Sequence, residues 1–299
     1  MTETKESQLI NDSINYMKKL VNEETLPGKA LCAVETLYFY LKNTQATIYH
    51  QVVDELKTLK TKIVHLYPNE LSTESACEMF IHFLTKGIVE GDMDQRIKQF
   101  QSIGLKVYNS LIKCRDKIVQ NCTSFVRKSI TILTHGYSKV VCKILTDNKN
   151  VDFKLIVTEG TPFGYGDQTI EYLRKNGCTF MIEKIPDTAV AYKMKEVDFV
   201  LIGSQLLVRT GGSINSIGTY NIAIIAKHFN VPLYVAAECF KFSNSYPLEQ
   251  KDVNLSLFNN PYKTLIYDYT PPEMISLVIS DLAVFTPSAV ADELIKFYG

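Results

Sequence analysis

The feature that most constrains this chain is a change of hydrophobic period near Lys128. From about Ser7 to Lys128, apolar residues recur at helical spacing. Beyond it, short apolar runs alternate with helical stretches. The two patterns predict two domains, a helical one over 1–128 and an α/β one over 129–299.

In the first half the clearest run is Met93, Ile97, Phe100, Val107, Leu111, Ile118, Cys122 and Phe125, which fits one long amphipathic helix. Ala30 to Lys42, Thr44 to His65 and Thr73 to Lys86 share its period, with breakers at Pro27-Gly28 and Pro68-Asn69. In the second half, Ile130 to His135, Phe153 to Thr158, Cys178 to Glu183, Asp198 to Gly203, Pro232 to Ala237 and Thr264 to Tyr269 read as strands. Near-continuous apolar runs of this kind belong to a sheet covered on both faces, and their alternation with helices predicts a Rossmann-like, mostly parallel, doubly wound sheet. Thr270-Pro-Pro-Glu273 and Thr286-Pro287 read as helix starts.

Charge narrows the partners. Lys+Arg and Asp+Glu number 32 each, so nothing in the sum favours a phosphate backbone or an anionic membrane surface. The polar, acidic start lacks the pattern of a signal peptide, no run has the ~18 apolar residues of a membrane span, and a cytosolic location is expected. The seven cysteines contain no Cys-x-x-Cys pair, which points to buried thiols and to no metal site.

In open α/β sheets ligands bind past the carboxyl ends of strands, and three such places stand out. Gly164-Tyr-Gly166, with Glu183 as a ribose acceptor, resembles part of a dinucleotide fingerprint, but a glycine-permitted turn into a helix is the preferred reading. Gly211-Gly212, followed by Ser213, Asn215, Ser216 and Thr219, reads either as a phosphate cradle at a helix N-terminus or as a tight hairpin with ordinary capping. Both readings stand at this point. Lys241 lies between two phenylalanines just past a strand, either snorkelling or facing the crevice, and His135 ends another strand. No catalytic triad, His-Glu-x-x-His, Walker loop or carboxylate pair can be assembled.

Five runs nevertheless carry a specific resemblance: Ile130 to Ser138, Gly211 to Thr219, Val235 to Phe242, Asp268 to Glu273, and Leu282 to Ile295. Together they closely resemble the alpha, regulatory subunits of eukaryotic translation initiation factor 2B, in a superfamily that includes methylthioribose-1-phosphate and ribose-1,5-bisphosphate isomerases. The resemblance implies a regulatory and assembly subunit of a guanine-nucleotide exchange factor. It further implies a homodimer whose seam involves Asp187 and Val190, beta and delta subunits as partners, and a share in sensing the phosphorylated alpha subunit of initiation factor 2. Nucleic acid and membrane are not among the partners it implies.

An isomerase is the alternative that the superfamily raises. Where those enzymes place a catalytic cysteine after Leu-Thr-His this chain has Gly136, and where they place a catalytic aspartate it has Gln205. Neither replacement exchanges a proton as a thiol or carboxyl does. The frame for a phosphorylated ligand is better kept, as His135, Ser138, Thr158, Gly211, Gly212, Asn215, Thr219 and Lys241, although Ser216 replaces the usual lysine. The resemblance therefore implies a regulatory sugar phosphate or nucleoside monophosphate and no required cofactor. A nicotinamide enzyme built on Gly164-Tyr-Gly166 is the weakest alternative.

Overall fold

The computed structural model describes residues 2–24, 26, 28–46, 48–86, 93–253 and 265–298. The chain forms two compact units, Met1–Lys113 and Cys114–Gly299. The first is built from α1 (Thr2–Asn22), α2 (Lys29–Asn43), α3 (Tyr49–Leu66), α4 (Leu71–Lys86) and α5 (Met93–Ile112). Helix α2 is its central element, packed by α1, α3, α4 and α5. Its buried residues Leu31, Val34, Leu37, Tyr40 and Leu41 explain why. Each large side chain so removed from water contributes about 1.5–3 kcal/mol. Of the breakers, Pro27 lies outside the described residues, as do Thr47 of the expected helical segment Thr44 to His65 and Thr264 of the last expected strand.

The long helix expected from Met93 to Phe125 is two helices. It breaks at Lys113, and α6 (Cys114–Cys122) belongs to the second unit. The change of period after Lys128 marks the first strand, whereas the compact units divide earlier. The reason is the face of α6: Ile118, Val119 and Cys122 join Ile132, Val140, Ile144 and Leu155 in one buried cluster.

The second unit continues with β1 (Thr131–Thr134), α7 (Lys139–Asp147), β2 (Lys154–Thr158), α8 (Tyr165–Lys175), β3 (Met181–Ile185), α9 (Val190–Lys193), β4 (Phe199–Ile202), β5 (Leu206–Leu207) and β6 (Ser213–Ser216). It ends with α10 (Thr219–His228), β7 (Leu233–Ala236), β8 (Tyr267–Thr270), β9 (Leu277–Ile279), β10 (Val284–Phe285) and α11 (Pro287–Tyr298). Seven strands form one sheet in the order β10-β9-β7-β4-β1-β2-β3, parallel except for β10. This is the mostly parallel sheet that the apolar runs predict. Strand order reverses between β1, which leads out to β2 and β3, and β4, which leads out to β7 and β9.

Strand β8 departs from expectation by pairing in a separate antiparallel sheet, β5-β6-β8. Ser213 to Ser216 is a strand in that sheet, so α10 starts at Thr219 and not at the paired glycines. The segment after Thr270 is only a 3-10 turn, Pro272–Met274, because Thr270 is still committed to β8. Thr286 does precede a helix, α11, and its Oγ1 accepts from the Ala289 amide at 3.4 Å.

Candidate functional site

The reversal between β1 and β4 opens the position where α/β sheets bind ligands. His135 and Gly136 leave β1 there, and Gly203, Ser204 and Gln205 leave β4. The two loops approach so closely that a Cβ on Gly203 would fall 2.2 Å from Ser138 Oγ. Ser138 is the N-cap of α7, its Oγ accepting from the Val141 amide at 3.5 Å.

His135 is fully engaged. Its Nε2 donates to the Ile217 carbonyl at 2.9 Å, which fixes the tautomer and leaves Nδ1 to accept from the Thr158 hydroxyl at 2.6 Å. Burial lowers its pKa, against the opposing pull of the Ile217 carbonyl and of Asp187, whose Oδ1 is 3.8 Å from Nδ1. A buried neutral imidazole with both nitrogens bonded locks the loop after β6 onto β1 and β2.

Asp187, expected at a dimer seam, spends its carboxylate on the amides of Gly160 at 3.0 Å and Thr161 at 2.8 Å. It thereby holds the loop after β2. Val190, the other expected seam residue, is completely buried within its own unit. A seam there would have to use neighbours such as Tyr192, which is 83% exposed.

The paired glycines form a hairpin between β5 and β6. Val208 donates to the Gly212 carbonyl at 3.0 Å, and Gly211 donates back to the Val208 carbonyl at 2.8 Å. The Gly212 amide is taken by Thr210 Oγ1 at 3.2 Å. Both glycines are required by packing: a Cβ on Gly211 would lie 2.2 Å from the Pro287 carbonyl oxygen, and one on Gly212 would lie 2.5 Å from Tyr269 Cε2. Neither amide is left to face an anion. Asn215 and Thr219 are likewise bonded to each other, Asn215 Nδ2 donating to Thr219 Oγ1 at 3.2 Å.

The anion that α10 attracts is internal. Asp268 on β8, cross-strand partner of Asn215, accepts at Oδ2 from the amides of Gly218 at 2.8 Å and Tyr220 at 3.0 Å. Free amides and the helix dipole both favour a negative group there. Burial nonetheless pushes the Asp268 pKa up to about 7, despite the two amides that lower it. Its Oδ1 is buried without a hydrogen-bond partner, as are Gln205 Oε1 and Thr270 Oγ1. The register sets Asp268 beside Asn215 and Thr270 beside Ser213 on one face of the small sheet, with the Gln205 amide bonded to the Ile214 carbonyl at the edge of β6. Sequence reasoning missed this aspartate; its one signal was a carboxylate inside the apolar run Ile266-Tyr-Asp-Tyr269.

Lys241, read from the sequence as either snorkelling or facing the crevice, is paired with Glu238 Oε2 at 3.0 Å, while Arg115 of α6 donates to Glu238 Oε1 at 2.6 Å. Glu238 is wholly buried. Burial alone would raise its pKa, but Lys241 and Arg115 hold it down at about 2. The dinucleotide reading of Gly164 and Gly166 gives way to the turn reading. Gly164 caps α8 with φ +67°, and Gly166 lies where a Cβ would be 2.2 Å from the Thr158 carbonyl oxygen. Glu183 bridges Lys154 at 2.7 Å and Lys193 at 2.8 Å. All seven cysteines are buried thiols, and burial pushes Cys122 and Cys142 up to about 12. No described helix is long and apolar enough to cross a membrane.

The profile of the Initiation factor 2 subunit family matches residues 23–287. Among curated proteins, the chain is 34% identical over 309 residues to translation initiation factor eIF2B subunit alpha of Dictyostelium discoideum, covering 94% of this chain and 95% of that one. The subunit alpha of Caenorhabditis elegans is 31% identical over 310 residues, covering 97% and 100%. Ribose 1,5-bisphosphate isomerase of Methanocaldococcus jannaschii is 25% identical over 273 residues, covering 87% of each chain. Among solved structures, the tetrameric eIF2B-beta2-delta2 complex of C. thermophilum contains a chain with the same fold, with a TM-score of 0.80 at 15% identity, covering 99% of this chain and 98% of that one.

Proposed function

Because the chain belongs to the Initiation factor 2 subunit family, we propose that it is a non-catalytic regulatory and assembly subunit of the guanine-nucleotide exchange factor for translation initiation factor 2. In this reading it pairs with a second copy of itself and joins subcomplexes containing beta and delta subunits. It also takes part in sensing the phosphorylated alpha subunit of initiation factor 2, and works in the cytosol. The similarity to two alpha subunits across almost their whole length carries the reading.

The site supports the absence of isomerase chemistry. Gly136 has φ +78°, a backbone that a cysteine rarely adopts, and a Cβ there would lie 3.2 Å from Ser216 Oγ. Gln205 offers an amide where the isomerases resembled here use a carboxyl. The discriminating experiment is an isomerisation assay on ribose 1,5-bisphosphate and methylthioribose 1-phosphate, run beside an exchange assay with the remaining subunits. Stimulated or phosphorylation-sensitive exchange without turnover is expected; turnover abolished by a substitution of Asp268 or Gln205 would replace this reading with the isomerase.

A regulatory sugar phosphate or nucleoside monophosphate at the β1/β4 opening is part of the same proposal. The three unpartnered acceptors call for hydroxyl donors. A phosphate at α10 would have to displace Asp268, which favours acidic pH, where that carboxyl is neutral. A thermal-shift panel of sugar phosphates and nucleoside monophosphates at pH 6 and pH 8 tests this. Stabilisation larger at pH 6 supports it, and flat responses throughout discard the ligand.

A further inference from the structure

The amino ends of β7 and β9 frame an open cavity of about 290 Å³, at the opposite end of the parallel strands from the β1/β4 opening. Its apolar lining comes from Val231 and Pro232, which lead into β7, and from Met274 and Ile275, which lead from the 3-10 turn towards β9. The backbone fixes both sides. The Ser276 amide donates to the Leu233 carbonyl at 2.8 Å, and Ser276 Oγ accepts from the Leu233 amide at 3.1 Å. Across from it, Asn230 turns the chain out of α10 with φ +57°, a left-handed conformation that asparagine tolerates, and Val231 donates to the Ala226 carbonyl at 2.8 Å.

Two opposite charges line the same cavity without neutralising each other. Lys227 Nζ donates to the backbone carbonyl of Glu273 at 2.8 Å, which uses one of its three protons and leaves two for another acceptor. Among the described residues, neither the Lys227 ammonium nor the Glu273 carboxylate has an ion-pair partner. Both side chains are exposed. A simple anion is attracted by the lysine and repelled by the glutamate, and a simple cation meets the reverse, so only a molecule carrying both charges suits both. The volume lies at the low end of small-molecule sites, which span about 300–1,000 Å³.

We infer that this cavity is a binding site for a free α-amino acid with a mid-sized apolar side chain. The ligand's carboxylate takes the remaining donors of Lys227, its ammonium meets the Glu273 carboxylate, and its side chain covers Val231, Pro232, Met274 and Ile275. A peptide end carries only one of the two charges, whereas a free amino acid carries both on one carbon. The inference stands independently of any ligand at the β1/β4 opening.

The test titrates the full chain with leucine, leucinamide, which lacks the carboxylate, and 4-methylpentanoate, which lacks the ammonium, and follows binding by ligand-observed NMR. Leucine should bind saturably and about tenfold more tightly than either analogue, a difference of about 1.4 kcal/mol. Glycine, which keeps both charges and has no side chain, should bind more weakly than leucine. Lys227→Met should abolish the preference for leucine over leucinamide and keep that over 4-methylpentanoate; Glu273→Gln should do the opposite. Both substitutions are at exposed positions, so the fold is retained. Absence of saturable leucine binding, equal affinity for leucine and its analogues, or unchanged preferences in the two variants overturns the inference.

Discussion

The two units bury polarity in opposite ways. Among the described residues of 1–113, the buried polar side chains are serines and threonines, and Ser13 and Thr36 satisfy themselves on the helix carbonyls of Leu9 and Cys32. The α/β unit instead buries Arg115, His135, Glu238, Asp268 and Asp281. Burying a charge costs several kcal/mol unless partners are built around it. The helical unit thus buries only hydroxyls among its polar side chains, whereas the α/β unit spends stability on buried ionisable groups.

The most severe way to probe that contrast is Arg115→Ala, which leaves Glu238 buried with Lys241 alone. A loss of about 3–5 kcal/mol in urea unfolding is expected. The partly buried Lys60 of the helical unit, whose partners Glu74 and Glu78 are exposed, gives the reference: Lys60→Ala removes contacts to Glu74 at 3.6 Å and Glu78 at 2.9 Å and should cost no more than about 1 kcal/mol. If the two losses are equal, the contrast fails.

Asp268 sharpens it through pH. Its folded pKa of about 7 lies above the ordinary 3.8, so between these values the native state holds more protons than the unfolded one. Stability is then fully present below pH 4 and declines as pH rises towards 7, by up to about 4 kcal/mol at 1.36 kcal/mol per unit. Asp268→Asn, measured by chemical denaturation across that range, should remove this decline while keeping the helix cap. An unchanged slope would mean that Asp268 is ionised throughout.

Gly203→Ala should cost about 1–3 kcal/mol, because the new methyl meets the Ser138 side chain at 2.2 Å and 2.6 Å. The smallest effect is expected in the helical unit. Thr36→Val removes a hydroxyl bonded to its own helix and should cost under about 1 kcal/mol by thermal unfolding. A larger loss would show that the helical core also depends on polar contacts.

The same contrast explains what could be read in advance. Strands β1, β2, β4 and β7 are legible because burial on both faces forces continuous apolar runs such as Ile132-Leu133 and Val200-Leu201-Ile202. Strand β6, Ser-Ile-Asn-Ser, has no such run. It exists through pairing with β5 and β8, so a helix N-terminus was an equally good local reading. The break at Lys113 was hidden because the apolar period continues through it, although the partner of that face changes. At the site, His135 was visible as a strand end, but its locked tautomer depends on Ile217 and Thr158, distant in sequence. Asp268 was invisible as an internal anion because only the register opposite Asn215 carries it to α10.

The account rests on the α/β unit serving assembly and regulation instead of turnover. Sedimentation velocity of the purified chain, alone and mixed with beta and delta subunits of the exchange factor, tests that most directly. The account predicts a dimer of the chain alone and a single faster complex in the mixture. A strict monomer at micromolar concentration that leaves the other subunits' sedimentation unchanged would contradict it.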